Sequence, residues 1–231
     1  DYDRAGQIVV VDTDSFQVIT ELDYSGGIAV SPDGRFIAIL TYDNSDNYDT
    51  WILDAGDYSL VYHDTVKAGG GRFTYDGRAF YRGNSERVYR LALPGSECVL
   101  TSRGIPYPGL HLNSIIPSHD ESKYFLYRGV NHNISTFHVY DLDLDSLIFR
   151  HDFMPGRGWM EMTPDGRYVF YTNPGGMNSD VPAPSHFTAF DIENNEIYKT
   201  IETDSPLPWH HGQPVGRLAI TPDGRKLVAL N

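Results

Sequence analysis

The chain has 231 residues, 40% hydrophobic and 21% charged, a composition that points to a folded globular protein able to bury a core in a single domain. Its 18 basic and 31 acidic side chains leave a net charge of -13, so the field of the whole molecule opposes a nucleic-acid backbone or an anionic membrane as partner. No apolar run has the length of a transmembrane helix, and the single cysteine, Cys98, excludes an intramolecular disulfide and a cysteine-built zinc site. The chain begins at Asp1, which leaves cytoplasmic and exported locations both open; the triplet Asn133-Ile134-Ser135 matters as a glycosylation acceptor only in a eukaryotic secreted protein.

Alternating apolar and β-branched residues predict strands from the start of the chain. Ile8–Val11 and Gln17–Leu22 form a first strand pair, followed by a hairpin from Ile28 to Leu40 around Ser31-Pro32-Asp33-Gly34-Arg35. Next come the pair Thr50–Leu53 and Leu60–His63, and a hairpin from Arg72 to Gly83 around Thr74-Tyr75-Asp76-Gly77-Arg78. The same succession recurs as Val88–Leu93 with Cys98–Thr101, then Ser114 to Gly129 around Ser118-His119-Asp120-Glu121-Ser122. Thr136–Asp141 with Leu147–His151 precedes Met160 to Thr172 around Thr163-Pro164-Asp165-Gly166-Arg167. Phe187–Asp191 with Ile197–Ile201 precedes the last hairpin, Leu218 to Leu230 around Thr221-Pro222-Asp223-Gly224-Arg225. In these turns Pro presets φ, Asp accepts from the amides that follow, and Gly takes the positive φ that reverses the chain. The third copy has Glu121 where Gly is expected, and that turn is predicted to be the most irregular.

The turn aspartates are 43, 44, 45 and 58 residues apart, the period of a four-stranded propeller blade. The chain opens with an outer strand pair and finishes with an inner one, and wrapping from Asp223 through the termini to Asp33 spans 41 residues, one further period. The expected fold is therefore all-β, a five-bladed β-propeller of four-stranded antiparallel blades. The N-terminal half-blade would pair with the C-terminal hairpin and so remove open sheet edges. An arc of a larger propeller is the competing reading. The S/T-P-D-G-R turns at 31–35, 163–167 and 221–225, with the apolar strands Phe36–Leu40 and Tyr168–Tyr171 after them, resemble those of YVTN-type, lactonase-like and quinoprotein-amine-dehydrogenase-like propellers. That resemblance implies the fold and not one function, since such propellers include lactone hydrolases, lyases, dehydrogenase subunits and binding scaffolds. The better-known enzymes among them have more blades, and none of their catalytic residues maps onto a position here.

In such a fold one face carries the short Pro-Asp-Gly turns and the other carries longer loops, here 41–49, 102–113, 129–133, 152–159, 173–186 and 203–216. Long loops cost entropy and tend to be kept for binding. These hold His111, His132, His186, His210 and His211, with Tyr107, Asn113, Trp159, Met177 and Trp209. Aromatic area with a few orientable polar groups is pocket chemistry; packing of Pro-rich loops on large side chains is the plain alternative. Aligning the innermost strands by their turns places Ala29, Arg72, Ile116, Glu161 and Ala219 at one level, and Gly27, Gly70, Ser114, Trp159 and Arg217 two residues earlier. A charge at a narrow channel is costly unless paired, so Glu161 is expected to lie with Arg72 and Arg217 as a structural salt bridge or an anion clamp with an acid or base.

No cofactor is favoured. Three loop histidines could hold a divalent metal, but no H-x-H or H-E-x-x-H spacing supports it. The acidic run Asp43–Asp49 lacks the Gly and the terminal Glu of a calcium loop. A Gly-x-Ser-x-Gly elbow and a phosphate-binding glycine loop are absent. Two functions stay open. One is a monomeric small-molecule binder, or a hydrolase- or lyase-type enzyme using His111, His132, His186, His210 and Glu161 as proton carriers. The other is a non-catalytic module that presents the same face to a protein partner.

Overall fold

The computed structural model describes residues 7–42, 48–65, 69–83, 87–95, 98–100, 111–130, 134–153, 158–173, 186–202 and 218–229. Among these residues every regular element is a strand, and no helix is long and apolar enough to cross a membrane. The strands are β1 (Ile8–Val11), β2 (Val18–Leu22), β3 (Gly27–Val30), β4 (Phe36–Tyr42), β5 (Tyr48–Asp54), β6 (Leu60–Asp64) and β7 (Gly69–Phe73). They continue as β8 (Ala79–Gly83), β9 (Val88–Ala92), β10 (Cys98–Leu100), β11 (His111–Pro117), β12 (Lys123–Val130), β13 (Ile134–Asp141) and β14 (Ser146–Phe153). The last are β15 (Met160–Met162), β16 (Tyr168–Asn173), β17 (His186–Asp191), β18 (Glu196–Glu202), β19 (Leu218–Ile220) and β20 (Leu227–Ala229).

They form four antiparallel meanders, β3 to β6, β7 to β10, β11 to β14 and β15 to β18, flanked in sequence by the two-stranded sheets β1–β2 and β19–β20. The turn between the first two strands of each meander is built as the residue types require. In the first, Gly34 has φ 73°, its amide donates to Ser31 O at 2.8 Å, and the Ser31 hydroxyl donates to Asp33 Oδ1 at 2.7 Å. The Phe36 amide in turn donates to Ser31 Oγ at 2.9 Å. Thr74 and Thr163 repeat this arrangement with Asp76 and Asp165 at 2.8 and 2.5 Å.

The turn containing Glu121 is not the irregular one anticipated. Glu121 takes φ 57°, close to the glycines at the same position, and its amide donates to Ser118 O at 3.0 Å as in the other turns. The side chain secures that conformation. Its carboxylate accepts from Arg90 Nε at 2.6 Å, Arg90 Nη2 at 3.0 Å and the Tyr81 hydroxyl at 2.8 Å, all reached from the preceding sheet.

The core lies between sheets, because strand alternation sends successive side chains to opposite faces, and the second and third meanders are covered on both. Phe36, Ala38 and Ile52 of the first meander pack on Phe73, Phe80, Leu91 and Leu93, which belong to or adjoin the second. Ala79, Tyr81 and Val88 pack on Ile115, Tyr124, Leu126 and Tyr140 of the third. Ile116, Phe125, Tyr127, Phe137 and Val139 pack on Met160, Val169, Tyr171 and Phe190 of the fourth. The hairpin β1–β2 covers the opposite face of the first meander, with Ile8 and Leu22 against Ile37, Ile39 and Leu53. The leading strands lie side by side in the order β3, β7, β11, β15, β19.

Candidate functional site

Placing Arg72 on β7 and Glu161 on β15 puts them on the leading strands of the second and fourth sheets, with β11 between those strands. The two side chains nevertheless meet. Arg72 Nη1 donates to Glu161 Oε1 at 3.1 Å, and Nη2 donates to Oε2, a fork-to-fork pair between residues 89 apart in sequence. Sheets two steps apart can touch at their leading strands only if the stack bends toward those strands, so the pair also reports curvature. It stays reachable from solvent: 39% of the arginine and 22% of the glutamate side-chain surface is exposed. A small anion could therefore compete with Glu161 for a guanidinium of fixed geometry.

Trp159 precedes β15 and is half-buried. Its amide donates to the Thr172 hydroxyl at 3.0 Å, which fixes the chain where it enters the strand. Gly158 makes that entry possible, since a Cβ there would lie 2.3 Å from the Tyr127 ring and 2.5 Å from Thr172 O. His186 opens β17, with Nδ1 3.9 Å from Glu202 Oε1 on β18. It sits two strands from β15, a separation of roughly 10 Å, and so lies closer to the outer edge than to Glu161. His111 and Asn113 fall in β11, with side chains outside the described residues. Tyr107, His132, Met177, Trp209, His210, His211 and Arg217 also lie outside the described residues, as does the acidic run over 43–47. Among the described residues, no three His, Cys, Asp or Glu side chains are grouped as a metal site would require.

Other polar groups are buried that the sequence reading did not single out. Arg82 is 1% exposed; it donates to Thr50 Oγ1 at 3.0 Å, pairs with Asp64, and has the Tyr62 and Tyr89 rings within 6 Å. This locks the second sheet to the first. Arg128 and His138 are fully buried on neighbouring strands of the third sheet. Burial draws Arg128 down to about 10 and His138 down to about 4, and for His138 repulsion from Arg128 and Arg150 acts in the same direction. His151 Nδ1 lies 2.6 Å from the Tyr171 hydroxyl, and burial lowers its affinity for a proton too. The available signal was strand register: Arg82, Arg128 and His138 alternate with core aromatics, where a charged side chain needs partners.

No protein-family model matches the chain, and no curated protein matches it. The site therefore has to be read from its own chemistry.

Proposed function

We propose that the chain is a five-bladed β-propeller in which β1–β2 pairs with β19–β20 to complete the fifth blade. In this reading it is a small-molecule-binding protein whose ligand, an organic carboxylate or another small anion, is held by Arg72. The observation that carries both parts is the Arg72–Glu161 pair, which joins the leading strands of two non-neighbouring sheets and remains partly exposed. Support for the ring comes from the face-to-face succession of sheets and from the repeat itself. Kinship with lactonase-like and YVTN-type propellers is part of the proposal and rests on the Pro-Asp-Gly turns.

Chemically, a carboxylate entering the site would accept both guanidinium donors, and the displaced Glu161 would become available as an acid or base beside the bound ligand. Lactone hydrolysis or an elimination would suit that arrangement, with the loop histidines as further proton carriers. The competing reading is a non-catalytic protein-interaction module. It takes the same ion pair as a completed structural contact that needs no ligand.

A titration separates the two. Organic acids and lactones are screened by thermal shift, and hits are measured by calorimetry with the native protein and with Arg72→Ala and Glu161→Gln. Losing hydrogen bonds to a charged group should weaken a genuine ligand about ten- to a hundredfold in Arg72→Ala. Binding that ignores both substitutions, or the absence of any hit, sinks the ligand reading.

A further inference from the structure

The third sheet sends a lysine to the fourth. Lys123, three residues after the turn aspartate Asp120, donates from Nζ to Ile192 O and to Asn195 Oδ1, each at 3.0 Å, in the turn between β17 and β18. The first sheet has the same turn between β5 and β6. Asp54 Oδ1 accepts from the Gly56 amide at 2.7 Å as Asp191 Oδ1 accepts from Glu193 at 3.0 Å. The Ala55 amide donates to Arg35 O at 2.8 Å as that of Ile192 donates to Arg167 O at 3.0 Å, and Tyr58 and Asn195 have φ of 60° and 54°. In the other copies the residue three after the turn aspartate is Phe36, Ala79, Tyr168 or Lys226, so one other lysine occurs there, on the C-terminal hairpin.

The apolar residues around these positions match as well. Phe125, two residues beyond Lys123, is fully buried in the cluster that holds Met160 and Met162 of the fourth sheet. The equivalents are Val228, two residues beyond Lys226, and Ile28 and Val30 of β3. All three are exposed, at 52%, 53% and 58%. Ile28 and Val30 share a face with Ile39 and Ile37, through which β1–β2 already covers the outer part of the first sheet.

We infer that the C-terminal hairpin β19–β20 is a strap that docks on the first sheet, with Lys226 seated on the Ala55–Tyr58 turn and Val228 covering Ile28 and Val30. This rests on the closed-ring reading and adds the contact that holds the ring shut. The free edges of β20 and β1 then come together, which removes the exposed edge and apolar surface that otherwise invites aggregation.

The chain has only four lysines, Lys67, Lys123, Lys199 and Lys226, so zero-length carbodiimide coupling of amines to carboxylates gives few products to map by mass spectrometry. The dilute native protein should yield a link within one chain from Lys226 to Asp57 or Asp54, alongside a control link from Lys123 to Glu193. Ile28→Ala should also lower Tm by about 5 °C or more, as for a buried side chain. The control link without any Lys226 link, a Lys226 link found only between chains, or a shift in Tm below about 1 °C overturns the strap. Amide exchange at β1 reads the ring separately. Protection of the β1 amides that face away from β2, without the Lys226 link, would keep the ring and reject the strap. The link without protection would keep the strap and reject the β1–β20 pairing.

Discussion

A non-glycine residue held at positive φ costs about 1–2 kcal/mol, and Glu121 offsets this with its bonds to Arg90 and to the Tyr81 hydroxyl, whose residue is 1% exposed. Glu121→Gly should therefore destabilise the fold by about 1 kcal/mol in urea unfolding, because a buried hydroxyl loses its acceptor. Adding Tyr81→Phe should recover much of that loss; a stabilised single variant would refute the assignment. Glycine positions differ in the same way. A Cβ at Gly166 would fall 2.6 Å from His119 Nδ1, whereas the nearest atom at Gly224 is 3.5 Å away, so Gly166→Ala should cost more than Gly224→Ala although both have φ 70°. Proton linkage has a definite sign. His138 is held at about 4 when folded, so its contribution is complete above its ordinary value of 6.5 and is lost as pH falls from 6.5 to 4. Asp33 is held at about 2, chiefly by the Ser31 hydroxyl with Arg35 adding to it, and its contribution is lost between about pH 4 and 2. Urea unfolding of His138→Leu should show a flatter pH dependence between 6.5 and 4 than the native protein, by up to about 1.4 kcal/mol per pH unit. An unchanged slope would place the titration elsewhere. The turn residues were legible because Pro, Asp and Gly act on the chain next to them. Arg82, Arg128 and His138 were legible only as polar residues set among strand aromatics, because their burial depends on the neighbouring sheet.

At the scale of elements, strand positions followed the alternation closely, and the differences lie at the ends, as with β13 beginning at Ile134 rather than Thr136. Period-2 patterning carries that information where one face of a strand is covered and the other open, as in β1, and β-branched and aromatic content carries it where both are covered, as in β8. The inter-sheet clusters should dominate stability. Phe137 is fully buried between the third and fourth sheets and stacks on Tyr171 with ring centroids 4.3 Å apart, so Phe137→Ala should cost about 3–5 kcal/mol. Tyr198 on β18 is 64% exposed; under the closed-ring reading the fifth blade covers it, so Tyr198→Ala should cost more than the roughly 0.5 kcal/mol of a surface change in urea unfolding, and a smaller cost would count against that blade. The long segments between strands were legible only as composition, since no periodicity ties His132, Trp209 or His210 to a position in space.

For the whole molecule, the proposed ring requires both the repeat count in the sequence and contact between the leading strands of non-neighbouring sheets, as at Arg72 and Glu161. Among the described residues, the large exposed apolar side chains, apart from Leu60, Tyr75 and Leu144, belong to β1–β2 and its turn, β3, β18 and β20, the surfaces that a fifth blade would bring together. The candidate pair lies on the leading strands β7 and β15, and the alignment of the repeats on their turns marks both residues in the sequence. What alignment could not provide was distance across the sheets. A double-mutant cycle at Arg72 and Glu161 measures that contact directly, through the unfolding free energies of Arg72→Ala, Glu161→Ala and the double variant, together with the charge-reversed pair. The convergent arrangement predicts a coupling of about 1 kcal/mol and partial rescue by reversal. Additive single effects with no rescue would contradict it.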